Sequence, residues 1–398
     1  MSTRAIDTRA ASVTADAALL EAVRAAATVA GEHADAVDRD ARFPSAAIDA
    51  LRAGRAFGAH IPVALGGAGA SFGALCTACY ELSRRCAASG MIFAMHEIQV
   101  ASIARHVAAG SPLADYLREL ITGQRLIASA TSEVGVGGDL RRSIAALEPA
   151  GEGRVHFEKH GPTVSYGGHA DDFLTTVRRA ADAEGSDQVV VLSRGSETEL
   201  GPAGEWDTLG MRGTCSPAFT VRADVPETSV VAATFATVSA ETMVPYSHIL
   251  WSHGWLGLAT DAVERAQAFV RAQARRAPGT TPPMATRLSH LSAELSQLRG
   301  TVGAAKAEYE AIMDEPGRET LATLGYAVRV NNLKIVASEA IPSICHGALR
   351  ICGMAGYKNG TPFSVGRNLR DSLSASLMIA NERIHATNAT LLLIHREG

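Results

Sequence analysis

Basic charge is not in excess in this chain of 398 residues: 37 Lys and Arg stand against 41 Asp and Glu, a formal net charge of −4. A protein that coats nucleic acid or lies on an anionic membrane carries a basic footprint, so neither partner is expected. Cysteine is scarce, with six residues at 76, 79, 86, 215, 345 and 352. So few thiols cannot make a disulfide-stapled scaffold. Cys76-x-x-Cys79 has no second CxxC and no His pair at zinc spacing, and its setting is helical. Both are expected to be packing thiols in a reducing, cytoplasmic compartment. Runs of 18 or more apolar residues are missing, and residues 1–16 lack an apolar signal core, so no membrane insertion is expected and the first residues read as a frayed arm. Repeats and low-complexity tracts are missing too, apart from mild Ala enrichment.

What remains is an ordinary globular composition, 47% hydrophobic and 20% charged, which excludes general disorder. At roughly 100–200 residues per domain the length allows two or three domains. Residues 1–125 read as helices. An Ala-rich helix spans 16–36. Pro44 opens SAAIDALRAGRAFG with Ile48, Leu51 and Phe57 on one face. Pro62 and the Gly66-Gly67-x-Gly69 cluster make a loop, too poorly framed to be a phosphate cradle. Helices then follow over 74–87, 91–109 and 112–123. Residues 126–235 are β-rich: LIASATSE, RVHFEKH, DFLTTVRR, DQVVVLSR, AFTVRADV and SVVAATF are short, branched and bounded by turns. From 236 to 398 helical periodicity returns in long segments, 248–274, 283–313, 318–345 and 372–395, which suit a bundle.

Four ordered segments then carry a resemblance. FPSAAIDALRAGRAFGAHIPVALGGAG begins at Phe43. ASATSEVGVGGDL spans 128–140. WDTLGMRGTCSPAFTVRADVPE spans 206–227, and ICGMAGYKNGTPFSVGRNLRD spans 351–371. Together, on an α–β–α plan, they resemble the acyl-CoA dehydrogenase superfamily over nearly the whole chain. The resemblance implies a mainly α fold with an N-terminal helical domain (1–125), a middle β-barrel (126–235) and a C-terminal four-helix bundle (236–398). It implies FAD between the last two domains, and a homotetramer or homodimer.

It also implies site residues. A flavin is flat and apolar with polar edges, and small hydroxyls and backbone N–H groups can meet those edges without crowding. Ala130 and Ser132 fall on the flavin-edge strand, and Gly137 and Gly138 on the loop after it. Ser165 falls on the hydroxyl position near N5. Arg275 falls where the family binds FAD phosphate across the dimer, although Pro278 replaces a Phe there. Arg350 and Gly353 fall beside the neighbouring subunit's cofactor, with Gly353 and Gly356 allowing close backbone approach. Arg370-Asp371 matches a structural pair at a helix start.

The expected catalytic base is missing. An acyl thioester is dehydrogenated when a carboxylate takes the α-proton while the flavin accepts the β-hydride. The family's usual carboxylate position is Ile379, and its alternative position is near Ser247. Glu241, Glu97 and His96 are the substitute candidates. The leading expectation is FAD-dependent α,β-dehydrogenation of an acyl thioester, on CoA or a carrier protein, with a non-standard base. The alternative is a flavin monooxygenase, which needs no α-base, with His96, His253 and His385 as candidate residues and a flavin reductase or other electron-transfer partner. A DNA-binding or scaffolding relative is disfavoured by the acidic charge. His96-Glu97 would make a polar floor to the acyl pocket and favour a short or polar acyl group.

Overall fold

Helix α1 (Thr3–Arg39) opens the structure. The computed structural model describes residues 3–395 except Gly138 and Ala203, with side chains from residue 12 onward. The helix therefore begins within the stretch expected to be frayed. Leu19, Val23, Ala26, Ala30, Ala34 and Val37 recur three or four apart along it and are all buried, the stripe a packed helix needs. Against it lies α2 (Ser45–Ala53), burying Ile48 and Leu51. Helix α3 (Phe72–Ser83) is capped by Ser71, which accepts the Ala74 N–H and donates to Asp16 at 2.8 Å. Helix α4 (Ala87–Ala104) is buried at every residue but Met95. Ser111 caps α5 (Pro112–Gly123), with Pro at its first turn.

The middle segment holds two sheets. β1 (Ile127–Ala130) runs parallel to β4 (Asp172–Arg178), which pairs antiparallel with β5 (Gln188–Arg194). β2 (Glu148–Pro149), β3 (Arg154–Gly161), β7 (Phe219–Pro226) and β6 (Thr198–Leu200) form an antiparallel sheet in that order. Alternation along the strands sets the layers. Phe173, Val177, Val189 and Val191 share a core with Val155, Phe157, Val221 and Val225 of the other sheet. Leu174, Val190 and Leu192 point the other way, onto Leu113, Leu117 and Leu120 of α5. The expected barrel is thus two stacked open sheets among the described residues. The edge strands β2 and β6 of the antiparallel sheet, with two and three residues, offer no ladder long enough to close it onto the other. SVVAATF is no strand either. A single bridge joins Val230 to Val191, and Thr234 then caps the short α6 (Phe235–Val238) through the Thr237 N–H.

A π-helical turn (Ser239–Met243) leads into α7 (Val244–Arg276). Then come α8 (Ala285–Ile312), α9 (Leu324–Cys352), α10 (Met354–Tyr357), α11 (Gly366–Ser372) and α12 (Asn381–Ile394). Helix α9 is long and apolar enough to cross a membrane by length and composition. Here it is the central helix of the bundle, burying Ile341, Ile344, Cys345 and Ala348. Phe72 of α3, Tyr246 of α7 and Tyr309 of α8 meet edge-on at 4.8–5.7 Å, so the N-terminal helices join the bundle rather than stand apart. Two expected helices differ. Thr323 caps α9 and moves its start to Leu324, after a tight turn over Arg318–Ala322. The continuous helix over 372–395 is broken. Ser372 and Ser374 return their hydroxyls to carbonyls three residues back, which competes with helix propagation, and Ile379 takes a left-handed φ of 48°.

Candidate active site

The C-terminal end of β1 and the far end of β3 meet at one rim. Ser132 donates through Oγ to the Thr163 carbonyl at 3.1 Å. Ser216 Oγ lies 2.9 Å from Ser165 Oγ and 2.8 Å from Thr214 Oγ1. The loop after β3 is laced to the loop before β7: the Val164 N–H donates to the Pro217 carbonyl and the Tyr166 N–H to the Thr214 carbonyl. Tyr166, Met211 and Cys215 all hold positive φ, 45°, 53° and 42°. Non-glycine residues in that region mark strain that the surroundings must hold. The Tyr166 hydroxyl reaches back to the Ile127 carbonyl at 2.9 Å. Ser132 and Ser165, named separately from the sequence, therefore lie on one patch. Thr163, Thr214 and Ser216 complete it; Thr214 and Ser216 lie in the 206–227 segment, and Thr163 stands two residues before Ser165, outside all four segments.

The patch fits a flavin edge on one specific count. The backbone N–H groups of Ser132 and Ser165 have no partner among the described residues, and both hydroxyls are half-buried. Ala130 is buried at the end of β1. Gly137 has φ 59°, and a Cβ there would stand 3.5 Å from the Arg383 guanidinium. Gly138 lies outside the described residues. Arg275 and Arg350 are exposed in the last turns of α7 and α9 without an acidic partner among the described residues. Gly353 follows α9 at φ 55°, with open space around it. No contact among the described residues brings Arg275, Arg350 or Gly353 to the rim. Asp371 sits in the last turn of α11 rather than at a helix start. It is buried and accepts the Met211 N–H at 2.6 Å, while Arg370 pairs with Asp38.

Under the rim lies a buried ion pair that sequence reading did not find. Lys159, with no exposure, donates to the Thr176 carbonyl at 2.5 Å and lies 3.4 Å from Glu133. Burial lowers its pKa to about 8, against the pull of Glu133. Burial raises Glu133, but the Ser143 hydroxyl, the Lys159 charge and the Ala145 and Ile144 amides outweigh it and hold the carboxyl below its ordinary value.

The candidate bases are placed elsewhere. Glu241 is held by Arg318 at 2.8 Å. His96 is fully buried, and its Nδ1 accepts the Ile127 N–H at 3.1 Å. Burial, with the positive charge of Arg52, lowers its pKa to about 3, so it is a neutral pin between α4 and β1. Glu97 is fully buried with both oxygens unpartnered. Burial raises it to about 8, and the nearby Gly58 amide, outside hydrogen-bond geometry, only moderates this. It is a neutral acid. His96 packs on Phe57 at 4.5 Å, inside the core rather than on the floor of an acyl pocket. Half-buried His253 bonds its own helix at the Ile249 carbonyl, and His385 is exposed, 3.9 Å from Glu339.

Beside the loop of Ile379 stands a second unforeseen group. Buried Lys334 donates to Asn381 Oδ1 at 2.6 Å, and Asn381 donates to Ser338 Oγ and Glu339 Oε1, both at 3.1 Å. Burial lowers Lys334 to about 8. His248 Nδ1 lies 3.1 Å from the Val330 carbonyl, one turn away on α9.

Comparison with known proteins agrees with this architecture. The sequence model described as acyl-CoA dehydrogenase, N-terminal domain, matches residues 14–124, and that described as acyl-CoA dehydrogenase, C-terminal domain, matches residues 239–385. No curated protein matches in sequence. Among solved structures, dibenzothiophene monooxygenase (TdsC) from Paenibacillus sp. A11-2 superimposes with a TM-score of 0.78 at 20% identity, covering 96% of this chain and 98% of that one. KijD3, solved with FMN and a dTDP-amino-keto-sugar, gives 0.80 at 21% over 96% and 95%. Butyryl-CoA dehydrogenase from Megasphaera elsdenii gives 0.76 at 18% over 94% and 98%. At such identities the structural likeness speaks for the fold alone. With both of its helical regions matched in sequence and the whole fold matched in space, the chain belongs to the acyl-CoA dehydrogenase superfamily.

Proposed function

We propose that this protein is a flavin-dependent monooxygenase built on the acyl-CoA dehydrogenase fold. The observation that carries the reading is the state of the base candidates. Ile379 is apolar, Glu241 is paired with Arg318, and His96 and Glu97 are sealed in the core. Lys334 is buried and donating. A general base must be free to take a proton within hydrogen-bond reach, and none of these is. TdsC, named as a dibenzothiophene monooxygenase, and KijD3 have been solved with FMN, which supports a flavin without choosing FMN or FAD. Bound flavin supplies hydride acceptance or, once reduced, reaction with oxygen. The chain's own part would be the hydroxyl and amide rim of Ser132, Ser165 and Ser216, with Ala130 and Gly137 beside it, which would hold the flavin. Arg275, Arg350 and Gly353 take part only if the protein is a homodimer or tetramer. A reductase supplies electrons, in the cytoplasm.

A dehydrogenase reading keeps one foothold. Glu339 contacts Asn381, two residues from Ile379, although its side chain is 58% exposed, where water would share the proton. The test is to mix flavin-loaded protein under argon with short and long acyl thioesters, and separately to supply reduced flavin and oxygen. The expected result is no thioester-driven bleaching, in the native protein or in Ile379→Glu, and oxygen consumption coupled to product. Bleaching lost in Glu339→Gln would establish the dehydrogenase instead.

A further inference from the structure

We propose that the buried Glu133–Lys159 pair is a positioning clamp that closes the neck of the loop over 134–142 and so fixes the adjoining Ser132 rim. The chain leaves the rim after Glu133 and returns at Ser143. One carboxylate joins the two ends: Glu133 accepts from the Ser143 hydroxyl at 2.6 Å, the Ile144 N–H at 3.1 Å and the Ala145 N–H at 2.7 Å. The Lys159 ammonium lies 3.4 Å from Glu133 Oε2, the oxygen that also accepts from Ser143 and Ile144, as an ion pair. It donates to the Thr176 carbonyl at 2.5 Å and the Thr176 hydroxyl at 3.1 Å. That hydroxyl lies 3.4 Å from the Thr131 carbonyl, one residue before Ser132. The pair therefore touches the loop neck, strands β3 and β4, and the rim in one connected network.

Outside the clamp the loop is tied lightly. Among the described residues its own bonds are local, from Asp139 to Val136, from Arg142 to Asp139, and from the Arg141 amide and guanidinium to the Asp139 carboxylate. Beyond these there are Val134 to the His160 carbonyl, Ser143 to the Gly185 carbonyl, and Gln188 to the Leu140 carbonyl at 3.1 Å. Val134 and Gly137 are exposed. A buried ion pair is poor evidence for stability as such, because apolar residues of similar volume often replace one without loss. What such residues cannot replace is three convergent hydrogen bonds on a loop neck. That difference separates positioning from filling.

The cofactor half of the inference rests on the flavin reading; the loop half does not. The experiment compares the native protein with Glu133→Leu/Lys159→Met, which removes both charges and keeps an apolar core, and with Glu133→Gln, which keeps the shape and one acceptor. Amide exchange is followed at 134–142 without flavin, and FMN and FAD affinities by fluorescence quenching. Bonds to charged groups are strong enough that the double variant should exchange at least about tenfold faster across the loop. The β3 and β7 amides should stay unchanged, and flavin affinity should fall about tenfold. Glu133→Gln should lie between. If it alone folds, faster loop exchange supports the clamp and native-like exchange overturns it. Loop exchange within about twofold of native in a folded double variant would overturn the clamp. Fast exchange with unchanged flavin affinity would overturn its role toward the cofactor. A native protein that binds neither flavin would remove the cofactor half while the exchange result still decides the loop.

Discussion

At the scale of single residues, the two polar neighbours on α4 show how position overrides chemistry. Both read as candidate catalytic groups, yet both are sealed away from the rim. His96 accepts the Ile127 amide at Nδ1 but leaves Nε2 unpartnered, and both Glu97 oxygens lack a partner among the described residues. Glu97 should therefore dominate one part of the pH profile. Its pKa rises from 4.5 to about 8 on folding, so the folded state holds a proton that the unfolded chain releases. Its contribution is fully present below about pH 4.5 and is lost as pH rises through 8. Glu97→Gln keeps the neutral shape and escapes this loss. The variant's advantage in urea unfolding should grow between pH 5 and 9, reaching on the order of 4 kcal/mol. A difference that is flat with pH would place Glu97 in contact with solvent or a hidden partner.

At the scale of elements, the connections between segments matter more than the segments. The loop before β7 is pinned to α11 by Asp371 on the Met211 amide, and Gly210 lies so close that a Cβ would stand 2.2 Å from the Arg370 carbonyl. Gly210→Ala must separate the two. Overpacking against backbone has no cheap relief, so a loss on the order of 2–4 kcal/mol is expected. Denaturant midpoints measure it, and a native-like midpoint would mean that the junction is looser than drawn. Helix α12 is joined to α9 largely by polar side chains: Asn381 with Lys334 and Ser338, and Asn388 with Asn331 and Asn332. Asn381→Ala should speed amide exchange in α12 and around Ile379 while leaving α7 unchanged.

At the scale of the whole molecule, five histidines are held wholly (His96, His248) or partly (His60, His106, His253) out of water. Burial lowers His60, His106, His248 and His253 to about 4 and His96 to about 3. The unfolded chain protonates them near 6.5, so their stabilising contribution is present above that value and disappears as pH falls toward 4. Acid unfolding should begin below about pH 6 with net uptake of several protons per chain, measurable by calorimetry in buffers of different ionisation enthalpy. A melting temperature constant from pH 7 to 4 would contradict the buried neutral state. Assembly is the other whole-molecule expectation. Gel filtration should show a dimer or tetramer. Arg275→Ala should weaken flavin retention more than it lowers the melting temperature, because the side chain is exposed and has no acidic partner among the described residues. Equal flavin affinity would remove it from the site.

The sequence by itself determined the α–β–α order, the strands β3, β4, β5 and β7, the packing of Ile48, Leu51 and Phe57, and the family, because periodicity and local turn chemistry are written residue by residue. It also brought Ser132 and Ser165 into consideration through motif register. Tertiary structure alone decided the rest. Whether strands close into a barrel depends on edge pairing between distant segments. Whether 372–395 is one helix depends on serine hydroxyls and the Asn381 anchor outcompeting propagation. The fate of His96, Glu97 and Glu241 depends on what surrounds each side chain in space. Lys159 and Lys334 are ordinary lysines in the string of letters. Only burial beside Glu133 and Asn381 makes them structural cations, since a charge is costly in the core unless folding brings it a partner.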